Sequence, residues 1–160
     1  MNLRQATFED VDVIESLIRE LADYERMADQ VRLDPEVLKA SLFDERPYAE
    51  VLLAEVDGDV AGFALFFHNF STFLGKPGIY LEDLFVRPAF RRRGVGKALL
   101  SRLAELALER NCGRLEWAVL DWNQDAIKFY EGLGAKQLSE WRIFRLTGTD
   151  LGRLAGLSGR

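Results

Sequence analysis

Ile79 to Val86 reads as a β-strand, and the basic run Arg91-Arg92-Arg93-Gly94-Val95-Gly96-Lys97-Ala98 follows it after a short link. Val95, Leu99, Leu103, Leu106 and Ala107 then recur at helical spacing, so the glycine turn opens a helix. A strand that passes through a basic, glycine-bearing turn straight into a helix points to an α/β fold, and it builds an anion cradle. Gly94 and Gly96 let backbone N–H groups approach a ligand, the helix start adds its positive dipole end, and the arginines add charge-assisted donors. A phosphorylated cofactor is the expected occupant.

The spacing excludes the two commonest phosphate motifs. A P-loop needs glycine where Arg91 stands and Ser or Thr where Ala98 stands, and a dinucleotide fingerprint needs a small residue where Leu99 stands.

The elements around this junction alternate in type. A strand is expected at about Asn2 to Gln5, then a helix opened by Thr7 and Asp10 that carries Val11, Ile14, Leu17, Ile18 and Leu21 on one face. Asp34-Pro35-Glu36 is the start of a second helix running to about Phe43. Val51 to Val56 and Val60 to Phe67 flank Asp57-Gly58-Asp59, a hairpin signal, and a loop is expected from Asn69 to Gly78. After the cradle helix, Leu115 to Leu120 reads as a strand, Asn123 to Leu133 as a helix closed by Gly132 and Gly134, and Lys136 to Leu146 as one or two last strands. The tail after Gly148 is expected to fray.

At 160 residues the chain fits a single domain, residues 1–160. Its net charge of −5 and its single short basic run disfavour a general nucleic-acid binder and suit a cationic small substrate. The longest apolar run, Val60 to Phe67, is too short to span a bilayer and is broken by Gly62, so no membrane role is expected. With one cysteine, Cys112, and no secretory signal pattern, a cytoplasmic location is expected. His68 is the only histidine and Cys112 the only thiol, which rules out a His/Cys metal cluster and makes a Cys/His nucleophile a poor expectation.

Glu82 and Asp83 are neighbours in the strand before the cradle, and strict alternation would send them to opposite faces. A β-bulge here would re-aim a side chain and leave backbone groups unpaired for a ligand arm.

Arg91-x-x-Gly94-x-Gly96 at a strand-to-helix junction, with Leu81-Glu82-Asp83 in front, resembles the coenzyme A pyrophosphate loop of the GNAT superfamily of N-acetyltransferases. Leu21-Ala22-Asp23-Tyr24-Glu25, Tyr80-Leu81-Glu82-Asp83, Ala118-Val119-Leu120-Asp121-Trp122-Asn123 and Glu140-Trp141-Arg142 narrow the likeness to the diamine (spermidine/spermine) acetyltransferases, and most closely to their thialysine-acetylating branch. The resemblance implies a mixed, largely antiparallel sheet with a parallel central splay and helices on both faces. It also implies acetyl-CoA as cosubstrate, a small amine acceptor and a homodimer; no metal is expected, given the single histidine and single cysteine. Acetylation of a protein or peptide amine, or coenzyme A binding without turnover, are the alternatives.

Amine acetylation fixes the roles to be filled. An alkyl ammonium, with a pKa near ~10.4, must lose a proton before it attacks, and Glu82 is the candidate base, directly or through water. The resemblance makes Tyr130, seven residues after Asn123, the acid to the departing thiolate, with Asn123 touching the cofactor. Leu84, Phe85 and Val86 would supply backbone contacts to the pantetheine arm, an N–H near Leu84 or Phe85 would meet the oxyanion, and Arg91, Arg92, Arg93, Gly94, Val95, Gly96 and Lys97 would hold the pyrophosphate. Glu25, Glu82, Asp83, Glu140 and Trp141 would line the amine channel, where carboxylates and aromatic faces suit ammonium groups. Ser71-Thr72-Phe73 stands where the polyamine enzymes carry an acid and a tryptophan, which turns the expectation toward a short acceptor.

Overall fold

The computed structural model describes residues 1–156. The chain divides into two compact units, Met1–Leu120 and Asp121–Arg160.

The first unit is built on a five-stranded sheet of β1 (Asn2–Gln5), β2 (Glu50–Val56), β3 (Asp59–Ser71), β4 (Lys76–Val86) and β5 (Leu115–Trp117), lying in that order. Neighbours from β1 to β4 are antiparallel, and β4–β5 is parallel. Helices α1 (Val11–Tyr24) and α2 (Pro35–Phe43) cover one face, and α3 (Val95–Glu109) covers the other. This is the mixed sheet with helices on both faces that the sequence suggested.

Local chemistry explains the boundaries. Asp10 accepts hydrogen bonds from the Thr7 N–H at 2.8 Å and the Thr7 hydroxyl at 3.2 Å, which closes a 3-10 turn that feeds α1. The Asp34 carboxylate accepts from the N–H groups of Glu36 and Val37 at 2.9 and 3.3 Å, and Pro35 needs no partner at the first helical position. Asp57 and Gly58 both take positive φ, 56° and 91°, which is the turn twist that a two-residue hairpin requires. Ile14, Leu17 and Leu21 then meet Leu38, Leu42, Val51, Leu53, Phe63 and Phe85 in one core. Fully buried side chains such as Leu17 and Leu53 each hold about 2–5 kcal/mol against truncation to alanine.

Four expectations are corrected. The Asn69 to Gly78 segment is not a loop: β3 runs on to Ser71 and β4 starts at Lys76, and Asn69↔Gly78, Phe70↔Pro77 and Ser71↔Lys76 continue the ladder, leaving a turn only at 72–75. The continuous apolar stretch ends at Phe67, but pairing runs on through His68 to Ser71 because the opposing backbone is in register. The Leu115 strand is shorter than expected, pairing with β4 only at Ile79, Tyr80 and Leu81, because the two strands part beyond Trp117.

The third correction lies in the second unit. It contains α4 (Gln124–Gly132) and α5 (Gly148–Leu154), and Lys136 to Leu146 forms no strand. That segment has strand-like residues but no laddering neighbour among the described residues, and a strand exists only through its pairing. The tail after Gly148 opens with helix α5 rather than fraying, and its residues 157–160 lie outside the described residues.

Candidate active site

The ladder between β3 and β4 breaks at one point. Leu65 faces Asp83 and Phe66 faces Leu81, so Glu82 is the extra residue of a β-bulge. The expected distortion is therefore present, and it falls on the expected pair. Glu82 is pushed into solvent, while Asp83 is partly buried.

Just past the bulge, the outer edge of β4 is open. Pairing with β5 ends at Leu81, so among the described residues no strand pairs with residues 82–86 on that side. The Arg87 N–H donates to Ala61 O at 2.9 Å, which turns Arg87 toward β3. By alternation the backbone of Phe85 also turns toward β3, whereas Leu84 and Val86 present theirs to the open edge. The approach of the two strands is tight there, since a Cβ on Gly62 would lie 2.4 Å from Phe85 O. Of the residues expected to meet a pantetheine arm, Leu84 and Val86 have the orientation; Phe85 is a core residue, 5% exposed.

Beyond the strand, a 3-10 turn at Pro88–Phe90 leads into the basic turn and α3. Arg92 and Gly94 take positive φ, 59° and 81°. No acceptor among the described residues takes the backbone N–H groups from Arg92 to Lys97, so consecutive donors converge at the start of α3. This donor set fits a diphosphate. A Cβ on Gly94 would meet open space, and one on Gly96 would meet only Val86 at an ordinary 3.7 Å, so Gly94 is needed for its backbone conformation more than for room.

The three arginines differ in role. Arg92 is exposed and makes no ion pair among the described residues. Arg93 pairs with Asp57 at 3.0 Å, tying the turn to the β2–β3 hairpin. Arg91 bends back: its Nε donates to Val86 O at 2.9 Å and its guanidinium lies 4.8 Å from the Tyr24 ring centre and 5.6 Å from that of Phe85. Lys97 is exposed on the first turn of α3.

Tyr24 and Phe85, 6.4 Å apart, bring the C-terminal end of α1 against β4. A second link holds this register, as Glu20 receives Arg87 through contacts of 2.8 to 3.2 Å. Glu25, at the end of α1, therefore comes near the bulge. Burial raises the Glu25 carboxyl, and burial, Glu82 and Glu25 together push Asp83 up to about 7. Among the described residues no hydrogen bond or ion pair satisfies the Asp83 carboxylate.

Sequence reasoning missed Tyr24, Glu20 and Arg87, which position this region. Tyr24 adjoins Glu25 in sequence, but only the fold shows that its ring carries Arg91.

The second unit holds the other expected residues. Asn123 caps α4, its side-chain oxygen accepting the Ala126 N–H at 3.3 Å, and Tyr130 lies in the same helix with its ring 5.5 Å from that of Phe129. Gly134, at φ 91°, ends that helix. Glu140 and Trp141 lie in the strandless segment, both exposed.

Among known proteins, the model of the acetyltransferase (GNAT) family matches residues 14–135. The chain is 41% identical to the thialysine N-epsilon-acetyltransferase of Bos taurus, covering 96% of each chain. It is 36% identical to an L-ornithine N5-acetyltransferase of Arabidopsis thaliana, covering 93% of this chain and 85% of that one. A solved integron cassette protein from the mobile metagenome of V. cholerae superposes with a TM-score of 0.80 at 30% identity over 96% of each chain. With the bulge, the open strand edge and the donor-rich turn in place, this chain belongs to the acetyltransferase (GNAT) family and is an N-acetyltransferase.

Proposed function

We propose that the protein transfers the acetyl group of acetyl-CoA to the primary amine of a small cationic acceptor, a thialysine, another lysine-like amino acid or a short diamine, by direct transfer in a ternary complex. The observation that carries this reading is the group of carboxylates at the β4 bulge, Glu25, Glu82 and Asp83, with an unpaired Asp83 among them. A partly desolvated acidic cluster, in which Asp83 makes no ion pair among the described residues, favours an ammonium ligand. The names of the relatives, which act on thialysine and ornithine, support an acceptor of this kind.

Acetyl-CoA supplies an acyl group activated as a thioester. The N–H groups from Arg92 to Lys97 receive its pyrophosphate, helped by the charges of Arg92 and Lys97, and Leu84 and Val86 bond its amide-bearing arm along the open edge of β4. The Leu84 N–H is the donor for the developing oxyanion. Glu25, Glu82 and Asp83 hold and deprotonate the amine, Glu140 and Trp141 add an acid and an aromatic face, and Tyr130 protonates the leaving thiolate, with Asn123 contacting the cofactor. Residues 1–160 act as one domain and, on the family resemblance, as a homodimer, and the single Cys112 suits a cytoplasmic location. No helix among the described residues is long and apolar enough to cross a membrane.

A screen of amines with acetyl-CoA, read by free thiol release, tests the proposal. Thialysine, lysine, ornithine and short diamines should be acetylated with higher kcat/KM than spermine. Absence of transfer to every amine, or a preference for spermine over all of them, overturns it.

A further inference from the structure

We propose that Glu116, set beside the ring pair of Phe67 and Tyr80, receives the second, non-reacting ammonium of the acceptor, so that the enzyme favours acceptors whose two nitrogens lie about a lysine side chain apart. The inference rests on the function proposed above and concerns the end of the acceptor that the carboxylates at the bulge leave free.

The strand register places this patch on the same face as Asp83. Asp83 pairs with Leu65 and Tyr80 with Phe67, so the two β4 residues are set off by two residues of β3 and stand on one side of the sheet. Without the extra residue at Glu82, strict alternation would put Tyr80 and Asp83 on opposite sides. Leu65 packs against the core under α1 and α2, and Phe67 carries the same face onward. Tyr80 in turn pairs with Glu116 across the parallel β4–β5 ladder, which brings Glu116 to that side as well. Glu116 thus lies one strand across and two ladder steps along from Asp83, roughly 8 Å between backbone positions by strand spacing and rise. An extended lysine-like chain bridges that interval.

The patch has the chemistry of an ammonium site. The rings of Phe67 and Tyr80 lie 5.2 Å apart, tilted by 33°, and form a half-buried aromatic floor. Asn69 leans over β4 toward Glu116, and Gly78 makes this possible: a Cβ there would lie 2.4 Å from the Asn69 Oδ1. The Asn69 Nδ2 donates to one Glu116 oxygen at 3.5 Å, and no ion pair among the described residues engages Glu116. Burial first, then Glu82 and Glu116, raise the Tyr80 hydroxyl, so both carboxylates lie within electrostatic reach of it. A carboxylate oriented by an amide beside an aromatic face holds an ammonium by ion pairing and cation–π contact. Two residues beyond Asn69, the same face of β3 offers only the neutral Ser71, so it does not reward a longer polyamine.

The test compares three acceptors in wild type, Glu116→Gln and Asn69→Ala. Cadaverine carries two nitrogens at the required span, n-pentylamine has the same chain with one nitrogen, and ethylenediamine has two nitrogens too close together to bridge the interval. Wild type should use cadaverine with a kcat/KM roughly ten-fold or more above that for n-pentylamine. Glu116→Gln should lose most of this advantage through the cadaverine KM, with kcat and the constants for n-pentylamine and ethylenediamine little changed, which also shows that the variant is folded. Asn69→Ala should lose a smaller part in the same direction. An unchanged cadaverine KM in Glu116→Gln, or an equal loss for cadaverine and n-pentylamine, overturns the assignment. A loss shared by cadaverine and ethylenediamine overturns it too, because it marks a general negative field rather than a contact at a fixed span. Acetylation of none of the three defeats the proposed function instead. Calorimetry of cadaverine binding with coenzyme A present then decides the subsite by itself: roughly ten-fold weaker binding to Glu116→Gln supports it, and equal binding overturns it.

Discussion

Two clusters of charge in the first unit are built from similar residues to opposite ends. At the corner of β1 and α1, Arg4 contacts both oxygens of Asp10 at 2.8 Å and one oxygen of Glu55 at 2.6 Å, and Asp10 also accepts the Thr7 N–H. Every acid there has a cation, and the Arg4 hydrogen bonds hold the Asp10 carboxyl down at about 2. At the β4 bulge, Glu25, Glu82 and Asp83 lie together with no cation bonded to Asp83 among the described residues, and burial and its acidic neighbours hold its carboxyl up at about 7. The corner spends its charges on holding β1, the turn and α1 together. The bulge leaves its charges open, and an unsatisfied, desolvated carboxylate is a place for something else to bind.

The comparison breaks if the two clusters respond alike to mutation. The largest expected effects fall on rate. Tyr130→Phe keeps the ring but removes the proton donor, so kcat should drop by roughly 10²–10⁴-fold, with a deficit that narrows at high pH, where a thiolate of pKa about 8.5 leaves unaided. Steady-state kinetics from neutral to alkaline pH checks this, and wild-type kcat throughout would remove Tyr130 from the mechanism.

Stability should move in opposite directions at the two clusters. The folded pKa of Asp83 lies above its unfolded value, so folding binds a proton here between about pH 4 and 7; the penalty is absent below that window and full above it. Asp83→Asn should therefore stabilise the fold at pH 8, by up to about 4 kcal/mol and with little change at pH 4. Asp10 has the reverse sign. Its stabilisation is present above the unfolded value near 4 and is lost as pH falls through about 2, so Asp10→Asn should destabilise the neutral protein by about 1–3 kcal/mol and leave acetylation kinetics intact. Urea unfolding at both pH values reads each change. An Asp83→Asn protein that is less stable at pH 8 would mean that the bulge carboxylate is structural after all.

The smallest expected effect sharpens the boundary between them. Arg91 rests on Tyr24 and Phe85, so Arg91→Ala should loosen the end of α1 and raise the acceptor KM by a few-fold, through loss of a contact worth about 0.5–1 kcal/mol. An unchanged acceptor KM would separate Arg91 from the amine site.

The ends of β1, the caps of α2, the hairpin at Asp57-Gly58 and the glycine turn into α3 were legible because each depends on neighbours in sequence. The bulge was legible too, since two adjacent acids in a strand before the cradle have no other way to act together. What escaped the sequence depended on distant partners. The extension of β3 and β4 through Asn69 and Gly78 needed the register of the opposite strand, and the missing strands of Lys136 to Leu146 needed a neighbour. Within the site, the sequence named Glu25, Glu82 and Asp83 and put Glu82 forward as the base, but it could not show that Asp83 is the more buried of the adjacent pair, because that is set by the register of the bulge rather than by the residues alongside. The same holds for Arg91, whose stacking on Tyr24 links positions 67 residues apart.

The most direct measurement follows the Asp10 and Asp83 carboxyl carbons in one pH titration of the wild-type protein, with and without a saturating short diamine. The account predicts that Asp83 titrates near 7 alone and shifts to lower pH when the dication binds, while Asp10 stays near 2 in both. Coincident titrations of the two carboxyls near 4, or an Asp83 signal indifferent to the diamine, would contradict it.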